Sequence, residues 1–290
     1  MLLTAILLAA LADPLDSTHR AVRALEKSAE AHGSPDPKVT LSIRSDLAQE
    51  GQSLAVFAPF EAYPFVMDVT LDPASKRMRV ATTSSIAGDF TFRDILLLEN
   101  GKGIDLTPEI GVYTEVPREP PVLNRFLPAR FVRQLLQNRA ALRAIDDHTI
   151  ASGAQTVYLD PKTNLVQRVV QVMPSGYGDA VRETIYEDYK RTGDVLLPSR
   201  LRVRMTTSVH GTLENVYRYE DVKGEASVDS VAVAEGYKKA DFSYRGSFAA
   251  KPLAKDVWLL ENVTETTGQW SYNVMVVAFD DFVLVTESPV

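Results

Sequence analysis

The feature that most constrains this chain is a long series of segments in which apolar and polar residues alternate with a period of two. In the stretch 65–72, Phe65, Met67, Val69 and Leu71 fall on one face, and Asp68, Thr70 and Asp72 fall on the other. Such alternation belongs to strands with one buried and one wet face, which pair antiparallel. Asp72-Pro73-Ala74-Ser75 supplies a turn, and Met78, Val80 and Thr82 return against Arg77, Arg79 and Ala81 as the second arm of a hairpin. Further strands are expected over 90–99, closed by Asn100-Gly101, and over 156–159, 165–173, 182–190, 201–207 and 214–222. Between them stand turns rich in Asp, Asn, Gly and Pro, residues that fix φ or tolerate its positive values.

Two segments carry a helical period instead. Over 16–31, Val22, Leu25 and Ala29 recur at three- and four-residue steps before Gly33, Pro35 and Pro37 stop the helix. Over 128–145, Pro128 opens a second helix in which Phe131, Leu135 and Leu142 line one side. The fold class expected is therefore mainly β (α+β), an antiparallel sheet with an N-terminal helix and one internal helix.

Charge and residue counts remove several function classes. With 31 Lys and Arg against 38 Asp and Glu the net charge is −7, so no basic field exists for nucleic acid. No cysteine is present, which excludes disulfides, thiolate metal sites and a cysteine nucleophile. There is no G-x-S-x-G, P-loop or G-x-G-x-x-G motif from which a serine hydrolase, NTPase or dinucleotide reading would start.

Residues 1–12 (MLLTAILLAALA) form an apolar run too short to span a bilayer, ending in the small-x-small pattern Ala10-Leu11-Ala12. The expectation is a signal peptide and a periplasmic or secreted product. The run lacks a preceding Lys or Arg, and a buried N-terminal helix is the alternative.

The character changes near the C-terminus. After a linker over 246–255, the runs 257–261, 272–279 and 282–287 are apolar on both faces, as in strands covered on both sides. Nothing after Val290 supplies a cover, so residues 256–290 are expected to open a domain whose remainder lies outside this chain.

Two resemblances follow from these residues. The hairpin Asp160-Pro161-Lys162-Thr163-Asn164-Leu165, the cluster Glu187-Asp188-Tyr189-Lys190 and the turn Gly193-Asp194-Val195-Leu196-Leu197-Pro198 make residues 13–245 resemble the LolA-type lipoprotein-carrier half-barrel. The segments 253–260, 273–277, 279–282 and 285–289 resemble the opening strands of the αββα metallo-β-lactamase (MBL) fold. The second resemblance implies a zinc-dependent hydrolase of a small ester or amide. Glu287 would hold the end-of-strand position that helps organise the metal, and the first-shell H-x-H-x-D-H ligands would lie beyond this chain. On that reading the chain alone binds no zinc and is inactive. The first resemblance implies the alternative, a periplasmic carrier of lipid or lipoprotein acyl chains.

Candidate site residues follow from the same patterns. Phe57, Phe60, Tyr63 and Phe65 would line an apolar ligand cavity or pack the core. Among a basic group of Arg125, Arg130, Arg133, Arg139 and Arg143, the residues Arg130, Arg133 and Arg143 would meet lipid headgroups in a peripheral membrane contact, or form a solvated helix face. The four histidines, His19, His32, His148 and His210, have no partner at metal-ligand spacing and read as surface or turn residues. Asp280-Asp281 reads as a hairpin turn.

Overall fold

The structure is a computed structural model that describes residues 14–48, 61–86, 90–117, 119, 121–175, 178–208, 211–233, 235–240, 250–264 and 271–285. The proposed signal peptide over 1–12 and part of the proposed linker lie outside the described residues. The chain divides into two compact units, Met1–Lys238 and Lys239–Val290.

The first unit is mostly β, with two helices on a large antiparallel sheet. Helix α1 (Pro14–His32) is followed by β1 (Val39–Ala48), β2 (Ala62–Asp72), β3 (Arg77–Ile86), β4 (Phe90–Glu99), β5 (Lys102–Thr107) and β6 (Val112–Val116). A 3-10 turn (Pro121–Arg125) leads into α2 (Pro128–Gln137). Then come β7 (Leu142–Ala144), β8 (Thr149–Ser152), β9 (Gln155–Leu159), β10 (Val166–Ser175), β11 (Gly178–Thr192), β12 (Val195–Thr207) and β13 (Gly211–Lys223). With the two-residue strand β14 (Lys238–Lys239) at one edge, the strands run β14-β6-β5-β4-β3-β2-β1-β13-β12-β11-β10-β9-β8-β7 along the sheet. Two meanders therefore meet where β1 pairs with β13, with Ile43 opposite Tyr219.

Local chemistry explains the hairpins. Asn100 and Gly101 both take left-handed φ (55° and 76°), as a two-residue turn between β4 and β5 requires. Asp160 Oδ1 accepts the backbone N–H groups of Lys162 and Thr163 and so shapes the β9–β10 turn. Asp221 (φ 50°) lies where the β1–β13 register shifts by one residue, a bulge that brings Val222 onto the core.

The two faces of the sheet differ as the alternation requires. On the wet face, Arg200 and Arg202 pair with Glu187, Arg204 pairs with Glu183 and Glu214, and Arg168 pairs with Glu183, forming a ladder across β10–β13. On the inner face, Leu41, Ile43, Val69, Leu98, Leu201 and Tyr217 join Leu25 of α1 and Phe131, Val132 and Leu135 of α2 in one apolar cluster.

The second helix is shorter than its apolar period suggests. It ends at Gln137, because Asn138 leaves helical geometry (φ −116°, ψ 57°), and Leu142 belongs to β7 opposite Ser152. Helix α1 closes on His32, only 1% exposed, whose Nε2 accepts the Val166 N–H at 3.1 Å and ties the helix end to β10. The expectation that every histidine lies in a surface or turn position does not hold for His32.

The second unit is a four-stranded antiparallel sheet of β15 (Ala250–Ala254), β16 (Val257–Thr264), β17 (Ser271–Ala278) and β18 (Val283–Val285), in that order. Val274 is buried, but Met275, Val283, Leu284 and Val285 are exposed, and Phe279 stacks on an exposed Phe282 at 4.4 Å. Asp280 and Asp281 occupy the exposed turn between β17 and β18.

Candidate ligand-binding site

Four tyrosines build the site from below. Tyr186 of β11 donates its hydroxyl to the Arg125 carbonyl at 3.0 Å, and Tyr219 of β13 donates to the next carbonyl, Phe126, at 2.8 Å. Tyr189 donates to Val166 at 2.7 Å and packs its ring 5.5 Å from His32. Tyr217 meets Phe126 edge-on at 5.2 Å and Phe65 at 6.0 Å. Burial raises the pKa of all four phenols, so they stay protonated donors. Two consecutive carbonyls are thus fastened to β11 and β13, the strands on either side of β12, which fixes the backbone that carries Arg125.

Arg125 extends over the Phe126 ring, 4.9 Å from its centre, and its Nε is buried without a hydrogen-bond partner. Arg182 of β11 lies across from Met205 and donates to Gln171 Oε1 at 2.5 Å. Burial, and then the charge of Arg125, lower the pKa of Arg182 from its ordinary value. A guanidinium remains charged even so. Among the described residues no carboxylate pairs with either arginine.

Both side chains border two cavities. The larger, about 660 Å³, lies between the 3-10 turn with α2 and strands β8–β11; Phe131, Leu135, Val169 and Tyr186 form its apolar wall, and Gln134, Gln155, Gln171 and Thr184 supply amide and hydroxyl groups. The smaller, about 330 Å³, has Val203, Met205, Leu213 and Tyr217 in its wall. No Asp or Glu lines either one. The larger volume falls within the roughly 300–1,000 Å³ typical of small-molecule sites. Chemically this arrangement holds and orients: its groups are amides, hydroxyls, protonated phenols and guanidinium ions.

The sequence-derived candidates fall in different places. Phe65 backs Tyr217 and so supports the wall of the smaller cavity, whereas Tyr63, near the start of β2, bonds Glu61 at 2.5 Å. Phe57, Phe60 and Glu287 lie outside the described residues. Arg130, with its side chain 15% exposed, is ion-paired with Asp36 at 2.6 Å and with Glu119; Arg133 reaches the same Asp36 at 3.5 Å. Arg143 donates to Thr18 and to the Ala140 and Leu142 carbonyls, and Arg139 pairs with Glu26. These bonds tie helices and turns together. Arg125, the remaining member of that basic group, faces the cavities, and Arg182 joins it from a strand.

Elsewhere, Asp105 and Asp94 lie on the inner side of β5 and β4. Burial and then the charge of Asp94 raise the Asp105 pKa to about 6, and its Oδ1 is buried without a partner. Among the described residues, no three His, Asp or Glu side chains are grouped to hold a metal ion.

No protein-family model matches the sequence, and no curated protein matches it significantly. Among solved structures, the chain is similar to a LolA superfamily protein from Nitrosomonas europaea, at 14% identity and a TM-score of 0.43, covering 74% of this chain and 97% of that one. It is similar at the same TM-score to a DUF1329 family protein from Desulfovibrio piger, at 8% identity, covering 76% of this chain and 98% of that one.

Proposed function

We propose that residues 14–238 are a binding module of the carrier type, holding the apolar part of a small lipid-like ligand between α2 and the inner face of the sheet. The observation that supports this reading is the cavity of about 660 Å³, walled on one side by Phe131, Leu135, Val169 and Tyr186 and bordered by groups that recognise rather than react. An exported setting, periplasmic or secreted, accords with the apolar run at residues 1–12. The test is a titration of the full chain with a neutral alkyl-naphthalene probe whose emission shifts in apolar surroundings. Saturable binding is expected in the wild type, and Val169→Trp, which fills the cavity wall, is expected to abolish it. Equal binding by both proteins would overturn the reading.

One observation favours a second reading for residues 239–290. Met275, Val283, Leu284 and Val285 present exposed apolar surface on a small sheet, as strands do that are covered in a larger sandwich. We propose that these strands take part in an MBL-type sandwich, so that zinc-dependent hydrolysis is a property of a longer polypeptide. The 290-residue chain is then expected to show no zinc-dependent esterase or lactamase turnover, and turnover above background would contradict this.

A further inference from the structure

We propose that Arg125 and Arg182 form an anion clamp at the border of the two cavities, and that the ligand is an amphiphile with a carboxylate or phosphate group joined to an apolar chain. The inference rests on the reading that the larger cavity holds the ligand's apolar part.

A missing counter-charge and a place on the border of both cavities together mark this pair. Arg130, Arg133 and Arg139 around α2 have carboxylate partners, as do Arg168, Arg200, Arg202 and Arg204 on the wet face. Arg125 and Arg182 have none among the described residues. They are also the two cations shared by the two cavities, neither of which contains a carboxylate, whereas the cavity beside Arg130 contains Asp36, Asp72 and Glu119.

Holding two like charges together in a partly dry site is unfavourable, and an unpaired half-buried charge adds to that cost. The fold nevertheless fixes both groups. Tyr186 and Tyr219 pin the backbone under Arg125, the Phe126 ring supports its guanidinium, and Gln171 orients that of Arg182. A bound anion supplies the missing negative charge to both at once, and guanidinium forks suit paired oxygens of a carboxylate or phosphate. The apolar chain would then run from this polar end along Phe131, Leu135 and Val169.

Calorimetric titration of the full chain with decanoate, decyl phosphate and decanol tests this directly. The two anions are expected to bind at least about tenfold more tightly than the alcohol, and the tighter anion names the head group. Arg125→Gln and Arg182→Gln should each lower the anion's affinity toward that of decanol. Raising sodium chloride should weaken the anions and not the alcohol in the wild type, a comparison that decides the matter even where a variant fails to fold. Decanol binding as tightly as the anions would overturn the clamp and leave the cavity reading standing. Inorganic phosphate binding with no gain from an attached chain would overturn the cavity reading and leave the clamp. No binding of any of these probes would overturn both.

Discussion

Acidification should weaken the first unit through His32. The ring is buried under α1 and against Tyr189, its Nε2 accepts the Val166 N–H, and burial lowers its pKa from 6.5 to about 4. Protonation would set an Nε2–H against the Val166 N–H, two donors facing each other in the core. Because the folded pKa lies below the unfolded one, the stabilisation is fully present above pH 6.5 and is lost as pH falls toward about 4. A drop of about 2.5 in pKa, at about 1.4 kcal/mol each, amounts to roughly 3 kcal/mol over that window. Glutamine offers a non-titrating acceptor, so His32→Gln is the matching perturbation. Chemical denaturation at pH 7.5, 6, 5 and 4 should be followed by far-ultraviolet circular dichroism, since both tryptophans, Trp258 and Trp270, lie after residue 238 and report on the second unit. The variant is expected to be less stable at pH 7.5, with the gap closing by about 3 kcal/mol by pH 4. Wild-type and variant stabilities that fall in parallel with pH would refute the reasoning.

Asp105 acts with the opposite sign: its folded pKa of about 6 lies above the ordinary carboxylate value, so the wild type loses stability as pH rises from about 4 to 6. Asp105→Asn is expected to stabilise the protein by about 1–2 kcal/mol at pH 7.5, allowing for solvent screening, and to have little effect at pH 3.5, as denaturation midpoints will tell. Tyr186→Phe removes the hydroxyl that holds the Arg125 carbonyl; it should cost about 1 kcal/mol in urea unfolding and also weaken decanoate binding. A Cβ on Gly103 would run into the Leu97 carbonyl across β4–β5, so Gly103→Ala should lower the thermal midpoint, while Gly153→Ala, whose site is open but left-handed, should cost only about 1 kcal/mol.

The architecture of the sheet was largely legible because its physics is local. Alternation assigns faces, and Asn100-Gly101 and the Asp160 turn place hairpin ends within a few residues. The end of α2 was less legible, since Leu142 continues the helical apolar period but is recruited by pairing with β8, a contact that no local pattern encodes. For His32 a signal was present: it follows Leu25 by seven residues and Ala29 by three, which puts it on the buried stripe of α1. The site itself was only partly legible. Ion pairs such as Arg130–Asp36 join residues 94 apart, so sequence proximity grouped the arginines of α2 without telling which of them were already neutralised. Strand parity offered the better clue for Arg182. Its neighbour Glu183 falls on the wet face with Arg168 and Arg204, which turns Arg182 inward with Thr184 and Tyr186. The apolar exposure of the second unit was legible from its non-alternating strands, because there the pattern alone states the burial demand.

The most direct measurement is photolabelling of the full chain with a diazirine-bearing fatty acid, followed by peptide mapping. Labels are expected within residues 124–138 and 169–186, around Phe131, Leu135 and Val169, and should be displaced by decanoate. Labels confined to residues 250–285, on the exposed apolar sheet, would contradict the account and place lipid binding in the other unit.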